Sequence, residues 1–459
     1  MANALPTSFA AACGLVAGRL NLADYAANFA DAHPTLAPAQ ALIEADRCYY
    51  CYDAPCTTAC PTGIDVPAFI ARIAQDNVRG AAREILAANP LGGMCARVCP
   101  TEVLCEQACV RNAHESKPVA IGALQRYATD ALMASGQRAL FARAAPTGRH
   151  VAVVGAGPAG LACAHRLALL GHEVTLLDAK PKLGGLNEYG LASYKTPGDF
   201  AQQEIDWLLS IGGIIPRNNQ RLGRDFTLDG LLADFDAVFL GLGLAGVNAL
   251  GIAVPQVAGV YNAVDFIAQV RQTPDKSQVP VGRRVVVIGG GMTAVDAAVQ
   301  AKLLGAQSVT MCYRKGKASL SASEVEQQWA QTQGVVLQLW ATPQAILVQD
   351  GQLQGVRMAS TALVDEQLVH TGETFDLPAD MVLQAIGQAY VPAPAGAALQ
   401  LEGGRIATDA QGQTNVPRVW AGGDCRAGSQ DLTVHAVADG LQAAQSMHQA
   451  LMASAVASA

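Results

Sequence analysis

The chain has 459 residues, long for one domain at the usual ~150 residues each, so a division into about three is expected. With 51% hydrophobic and 15% charged residues, 45 glycines and only 5% aromatics, it has the composition of a compact glycine-rich α/β protein and not of a disordered or fibrous one. A formal net charge of −7 without any long Lys/Arg run excludes nucleic acid as a partner, because phosphate binding depends on cationic side chains.

The N-terminal stretch MANALPTSFAAACGLVAGRLNLADY has no basic start before its apolar part and reaches Arg19 and Asp24 early. No signal peptide is therefore expected, and the protein is placed in the cytoplasm. Eight of the twelve cysteines follow between Cys48 and Cys109, leaving Cys13, Cys163, Cys312 and Cys425 scattered. The first group is Cys48-x2-Cys51-x4-Cys56-x3-Cys60-Pro61, and the second is Cys95-x3-Cys99-Pro100-x4-Cys105-x3-Cys109. A 4Fe-4S cube offers four irons to four thiolates. Short spacings let one loop supply several of them, and a Cys-Pro pair sends a ligand to a neighbouring cluster, so eight thiols suffice for two cubes. Four disulfides would need an oxidising compartment. Structural zinc, at four cysteines per site, would satisfy the count equally well. The x4 and x3 spacings with following prolines, beside the dinucleotide motifs described next, favour clusters. Between the two groups Phe69, Ile70, Ile73, Ala74, Ala81, Ile85 and Leu86 recur at helical spacing, so this first domain is expected to be mainly helical. Gly136 to Arg149, rich in Ala, Arg and Gly with Pro146 inside it, reads as a linker.

From His150 the pattern becomes α/β. Gly155-x-Gly157-x-x-Gly160 follows the strand VAVV, opens the helix LACAHRLALLG and is trailed by the strand EVTLLD ending at Asp178. Such glycines allow a tight turn and close approach of a pyrophosphate to the helix N-terminus, while the acidic residue bonds ribose hydroxyls. Gly289-x-Gly291-x-x-Ala294 repeats the unit, but Arg314 and Lys315 stand where the acid would be. Cations there accommodate a 2′-phosphate, which favours NADPH over NADH; the alternative is a solvated turn. The uncharged run Ala237 to Val264 is long enough to span a bilayer, yet its five glycines, two asparagines and Pro255 suit a buried strand followed by a turn. Near the C-terminus VWAGGD, Val419 to Asp424, gives a strand and turn ending in an aspartate. It is similar to the second flavin sequence of two-dinucleotide flavoproteins, whose Asp bonds the ribityl chain. The first module is thus assigned to FAD and the inserted second one to the nicotinamide nucleotide, with Phe239 to Gly243 and Gln384 to Gly387 as the strand ends joining them. Cys163, Cys312 and Cys425 are isolated and read as ordinary small buried residues, so no redox disulfide is expected beside the flavin.

The phrases CYYCYDAPCTTACPTGIDVPAFI, NPLGGMCARVCPTEVLC and VAIGALQRYATDAL, with the two glycine motifs, resemble the N-terminal electron-input region of dihydropyrimidine dehydrogenase and its separate bacterial subunit. More distantly they resemble the small subunit of glutamate synthase. That resemblance implies one cluster on Cys48, Cys51, Cys56 and Cys109 and another on Cys60, Cys99, Cys105 and Gln125, with Cys95 left spare. In glutamate synthase the residue matching Gln125 looks like Glu, so Gln125 and the DAPC-x3-CPT phrase favour the pyrimidine branch. It further implies that Lys195, in SYKTP, lies near the flavin and that Gly290, Met292, Thr293, Ala385, Ile386 and Gly387 line the nicotinamide site with Gly289, Gly291 and Ala294. Pro158, Ala159, Gly185, Leu186, Gly423, Asp424, Thr433 and Val434 complete the candidate cofactor-binding set; no catalytic acid or base is expected. NADPH-using relatives carry another Arg where this chain has Ser321, which weakens the preference for NADPH.

The expected architecture is α/β. An N-terminal α-helical domain with two 4Fe-4S clusters (1–145) precedes two Rossmann-like domains, a discontinuous FAD domain (146–281 and 388–459) and an inserted NAD(P)H domain (282–387). The implied function is transfer of electrons from NAD(P)H through FAD and two clusters to an FMN-containing partner that reduces uracil or thymine, in a heteromer that binds neither nucleic acid nor membrane. Nothing after Val434 could supply the FMN barrel, so this chain alone is expected not to reduce uracil. The alternatives are the glutamate synthase small subunit or a related NAD(P)H:ferredoxin-type oxidoreductase, and a zinc-holding scaffold subunit.

Overall fold

A computed structural model describes residues 14–138, 140–392 and 398–457; Cys13, in the segment read for a leader, lies outside them. The described residues form two compact units. One takes those of His33–Glu188, Gly198–Gly246 and Ala389–Ala459, and the other those of Met1–Ala32, Tyr189–Pro197 and Val247–Gln388.

The larger unit begins as helices. Asp65 caps Val66–Ala74 by accepting the N–H of Ala68, and Asn77 caps Val78–Ala88 by accepting that of Gly80. Their apolar stripes (Val66, Phe69, Ile70, Ile73 and Ala81, Ala82, Ile85, Leu86) close on Ile121, Leu124, Ala128 and Leu132 of the helix Ile121–Ala134. Each large aliphatic side chain so removed from water contributes roughly 1.5–3 kcal/mol, and this core anchors the loops that carry the cysteines. The mainly helical character expected from the spacing is what forms.

A five-stranded parallel sheet follows in the order Val419–Ala421, Ala237–Leu240, His150–Val154, Glu173–Leu177, Ile214–Arg217. Ala237–Leu240 is apolar throughout and His150–Val154 is apolar and buried after its first residue, because both faces of the sheet are covered. The strand contributed from near the C-terminus sits beside Ala237–Leu240, so the two distant segments assigned to one flavin-type module do share one sheet. The final helix, Thr433–Ala457, packs on Pro158–Leu169. Gly440 permits the approach, since a Cβ there would stand 2.1 Å from the Ala159 carbonyl oxygen. The run Ala237 to Val264 opens as a buried strand, and among the described residues no helix is long and apolar enough to cross a membrane.

The smaller unit holds a second five-stranded parallel sheet, Val335–Leu339, Ser308–Tyr313, Arg284–Ile288, Met381–Gln384, Val260–Asn262. Two boundaries differ from expectation. Val260–Asn262 and the helix Ala263–Gln272 belong here, so the module starts well before residue 282, because its edge strand precedes its glycine turn in the chain. Residues 14–32, expected with the cysteines, also pack here: Leu15–Val16 pairs with Val281–Gly282, and Asn28 donates to the Leu303 carbonyl at 2.8 Å. Leu15 and Tyr25 find their apolar burial in this core. An antiparallel three-stranded sheet, Ala341–Gln349, Gln352–Val364 and Gln367–Pro378, is a further element the sequence reading did not include.

Candidate functional site

Three constellations carry the chemistry. The first is the thiol region of the larger unit. Cys48, Cys51, Cys56 and Cys109 line one pocket, partly open to solvent, together with Val66, Ile70, Val119 and Ile121. The short helix Pro55–Thr58 presents Cys56, and the backbone N–H of Tyr50, held at φ 51°, donates to Cys48 Sγ at 3.4 Å. Burial, with the charge of the neighbouring thiols adding, pushes the Cys48 thiol up and that of Cys56 up to about 11. Collecting thiolates here is therefore costly unless a multivalent cationic core offsets their repulsion. All eleven described cysteines are free thiols. Among the described residues no three His, Cys, Asp or Glu side chains are gathered as ligands of a single ion would be; the four thiols ring the pocket instead.

Cys60, Cys99 and Cys105 form a neighbouring set. The Cys99 thiol is raised chiefly by a hydrogen bond with Cys95, then by burial and by the charges of Cys95, Cys105 and Cys60. That of Cys105 is raised by burial first, then by Glu106 and Cys60. Cys95 is buried one helical turn before Cys99, in Gly92–Val98, so the thiol expected to be spare lies against this set. Gln125 is buried and its Nε2 donates to the Gly92 carbonyl at 2.7 Å. One turn earlier on the same helix, the N–H of Gly122 donates to Glu106 at 2.9 Å, which brings the helix start against the residue that follows Cys105.

The second constellation is the first glycine turn. A Cβ at Gly155 would stand 2.1 Å from the Gly241 carbonyl oxygen and one at Gly160 only 1.8 Å from that of Gly155, so neither position admits a side chain. Gly157, by contrast, faces open space bounded by Gly185 at 3.8 Å. Pro158 starts the helix Pro158–Leu169, whose first N–H groups have no side-chain cap and are left for a ligand. Asp178 is fixed by two backbone donors, Ala156 and Lys180, each at 2.7 Å, while burial raises its carboxyl above the usual range. From the far end of the chain, Gly423 comes against Ala159 and takes its N–H to Asp439 at 2.9 Å. Burial, with Asp431 adding, lifts the Asp424 carboxyl to about 6. Thr433 donates to Asn187 at 2.9 Å, next to Leu186 and Gly185, and Val434 is buried. The flavin-side residues of the sequence reading are thus linked around one turn, except Lys195.

Lys195 lies in the smaller unit, buried, with ion pairs to Asp296 (2.8 Å) and Glu326 (2.6 Å). Burial alone would lower its pKa, but the two carboxylates outweigh that and hold it above the ordinary lysine value. Asp296 sits on the helix Met292–Leu303 that follows the second glycine turn, the third constellation. There a Cβ at Gly289 would stand 2.1 Å from the Ala385 carbonyl oxygen, so Ala385, Ile386 and Gly387 flank the turn, and Asn248 donates to the Ile386 carbonyl at 3.2 Å. Gly290 lies under the Tyr313 ring, and a Cβ at Gly291 would stand 3.1 Å from Ser321 Oγ. Met292 and Thr293 are half-buried and Ala294 fully so. Arg314 is exposed and Lys315 half-exposed at the end of Ser308–Tyr313. Asp439, Glu204 and Asn187 were missed by sequence reasoning: Glu204 and Asn187 meet Gly93 and Thr433 across 111 and 246 residues, the partners of Asp439 lie 10 to 16 residues back in a loop, and no local pattern marks them. Cys163, Cys312 and Cys425 are buried with raised thiol pKa values, in keeping with inert packing.

Residues 25–137 match the family described as dihydropyrimidine dehydrogenase domain II, 4Fe-4S cluster. Residues 149–440 match the pyridine nucleotide-disulphide oxidoreductase family. The NAD-dependent dihydropyrimidine dehydrogenase subunit PreT of Salmonella typhimurium is 35% identical over 418 residues, which cover 91% of this chain and 96% of that one. The small chain of the NADPH glutamate synthase of Escherichia coli is 34% identical over 441 residues, covering 91% and 92%. Among solved structures, FprA of Mycobacterium tuberculosis in complex with NADPH matches with a TM-score of 0.59 and 19% identity over 68% of this chain and 86% of that one, a likeness of fold. FAD and NAD(P)H are the cofactors of the two nucleotide-binding modules, and the cysteine region is a 4Fe-4S domain. The residues present fit these groups: one uncapped helix N-terminus beside a side-chain-free turn in each module, and thiols ringing a pocket.

Proposed function

Since the chain belongs to the pyridine nucleotide-disulphide oxidoreductase family, in the iron–sulfur branch that includes PreT and the glutamate synthase small chain, we propose that it is the electron-input subunit of a dihydropyrimidine dehydrogenase. It takes electrons from NAD(P)H and passes them through FAD and two 4Fe-4S clusters to an FMN-containing partner, which reduces uracil or thymine to the 5,6-dihydro form in the cytoplasm. The observation that carries this reading is the pocket ringed by Cys48, Cys51, Cys56 and Cys109 in the same compact unit as the first glycine turn.

In this reading those four thiols hold one cluster, and Cys60, Cys99, Cys105 and Gln125 the other. When bound, the flavin accepts a two-electron equivalent and gives electrons up singly, and the clusters carry them onward. The chain's own residues bind and orient. Gly157 lets the pyrophosphate approach the first N–H groups of Pro158–Leu169, Asp178 accepts from ribose hydroxyls with its remaining lone pairs, and Asp424 accepts from the ribityl chain. On the nicotinamide side, Gly289 to Ala294 and Ala385 to Gly387 form the cradle, and Arg314 and Lys315 offer charge to a 2′-phosphate. No side chain is required to hold or move a proton for hydride transfer, so positioning is what the protein supplies.

The test is uracil-dependent oxidation of NADPH and NADH under anaerobic conditions, by the chain alone and mixed with an FMN-barrel partner. Turnover only in the mixture is expected. Flavin reduction without uracil turnover in the mixture would overturn the pyrimidine assignment and move the acceptor to the glutamate synthase type, the reading that the 34% identity to that small chain also supports.

A further inference from the structure

Glu204 is fully buried on the helix Phe200–Leu209 of the flavin-binding module, yet its carboxyl points into the cysteine region. Its Oε1 accepts the backbone N–H of Gly93 at 2.7 Å and that of Met94 at 3.2 Å, and Oε2 lies 3.2 Å from the same Met94 nitrogen. These are the first N–H groups of the helix Gly92–Val98, otherwise without a side-chain cap. Gly93 can have no side chain, since a Cβ there would stand 2.7 Å from Glu204 Oε1 and 2.6 Å from the Phe200 ring. The contact is thus built on both sides.

The same helix start has a second partner. The Gly92 carbonyl accepts from Gln125 Nε2 at 2.7 Å. A carbonyl oxygen accepts only from the nitrogen end of an amide, so this bond fixes which end of Gln125 points away from Gly92. That end is the oxygen, the atom able to bind iron.

We propose that Glu204 is a positioning residue for the amide ligand of the second cluster. By holding the N–H groups of Gly93 and Met94, it fixes the Gly92 carbonyl, and through that bond the orientation of Gln125 Oε1. This inference rests on the reading of Gln125 as an iron ligand. It assigns to a flavin-module residue the geometry of a cluster ligand in the cysteine domain, so that the amide stays oriented only while the two parts of this unit are docked.

The test uses the full chain with its FAD and clusters, reading the electron paramagnetic resonance signal and midpoint potential of each cluster, with iron and flavin content as controls. Glu204→Met removes the acceptor at similar volume. It is expected to shift the signal and potential of the second cluster in the same sense as Gln125→Ala while the first cluster stays unchanged. Glu204→Gln retains an oxygen for the two N–H groups and is expected to restore the wild-type signature. If Glu204→Met fails to fold, Glu204→Asp, which withdraws the oxygen by one methylene, gives the same shift to a smaller degree. An unchanged second cluster in Glu204→Met or Glu204→Asp, with Gln125→Ala shifted, overturns the positioning role. An unshifted Gln125→Ala overturns the ligand reading itself, a separate and distinguishable failure.

Discussion

The two glycine turns solve one backbone problem in the same way and then part company. In each, the first glycine stands where a Cβ would be 2.1 Å from a carbonyl oxygen of the adjoining strand end, Gly241 for Gly155 and Ala385 for Gly289. What differs is the end of the following strand. Asp178 is buried and tied to two backbone donors, whereas Arg314 and Lys315 stand more exposed. In the proposed reading, pyrophosphate recognition is thus written in the backbone and repeats, while the ribose end is written in side chains and diverges.

The largest effect should come from breaking the shared part on one side only. Gly155→Ala drives a methyl against the Gly241 carbonyl and is expected to cost about 3 kcal/mol or more and to strip the flavin. Gly289→Ala should leave flavin content intact and raise KM for the nicotinamide nucleotide more than about tenfold. Flavin-to-protein ratios and anaerobic reduction rates check both, and loss of flavin from Gly289→Ala would contradict the division of roles. Next, Asp178→Ala should weaken FAD by about 1–3 kcal/mol, roughly tenfold to a hundredfold in Kd, as read by flavin release on dilution.

On the divergent side, Arg314→Ala should raise KM for NADPH about tenfold, one charge-assisted contact, and leave NADH unchanged. Equal effects on both nucleotides would show that Arg314 does not meet a 2′-phosphate. The smallest effect concerns Asp424. Its carboxyl is lifted to about 6 mainly by burial, so in the flavin-free protein its ionisation opposes folding. The penalty is absent below the unfolded value near 4, grows between about pH 4 and 6 and is constant above. Once its partial exposure is discounted, it is of order 1 kcal/mol. Asp424→Asn should therefore flatten the fall in melting temperature over that window, and an unchanged pH profile would show that the carboxyl is not desolvated.

Much of this was legible because the signals are local. Both glycine turns and the helical spacing between the cysteine groups need only neighbouring residues, whereas VWAGGD, whose strand partner lies far back in the chain at Ala237–Leu240, was joined to the first module through its similarity to the second flavin sequence. The antiparallel sheet carried a local signal too: Asp350-Gly351 turns the first hairpin with both residues at positive φ (51° and 72°), as the two-residue type I′ turn requires. The second hairpin turns on Asp365-Glu366, also at positive φ but without a glycine to announce it. Other features had no local signal at all. Leu15–Val16 finds its strand partner more than two hundred residues away, at Val281–Gly282. Glu204 meets Gly93 across 111 residues, and nothing in FAQQEIDWLL separates it from a surface glutamate. Gln125 was reached only through family resemblance, because an amide ligand has no spacing rule of its own.

In the proposed function, electrons from NAD(P)H leave the flavin through the cysteine domain. The direct measurement is anaerobic addition of NADPH or NADH to the purified full chain, followed by low-temperature electron paramagnetic resonance. Signals of reduced 4Fe-4S clusters, lost from one cluster in Cys48→Ser, are the result predicted. Bleaching of the flavin with no cluster signal, in protein shown to contain iron and sulfide, would contradict it.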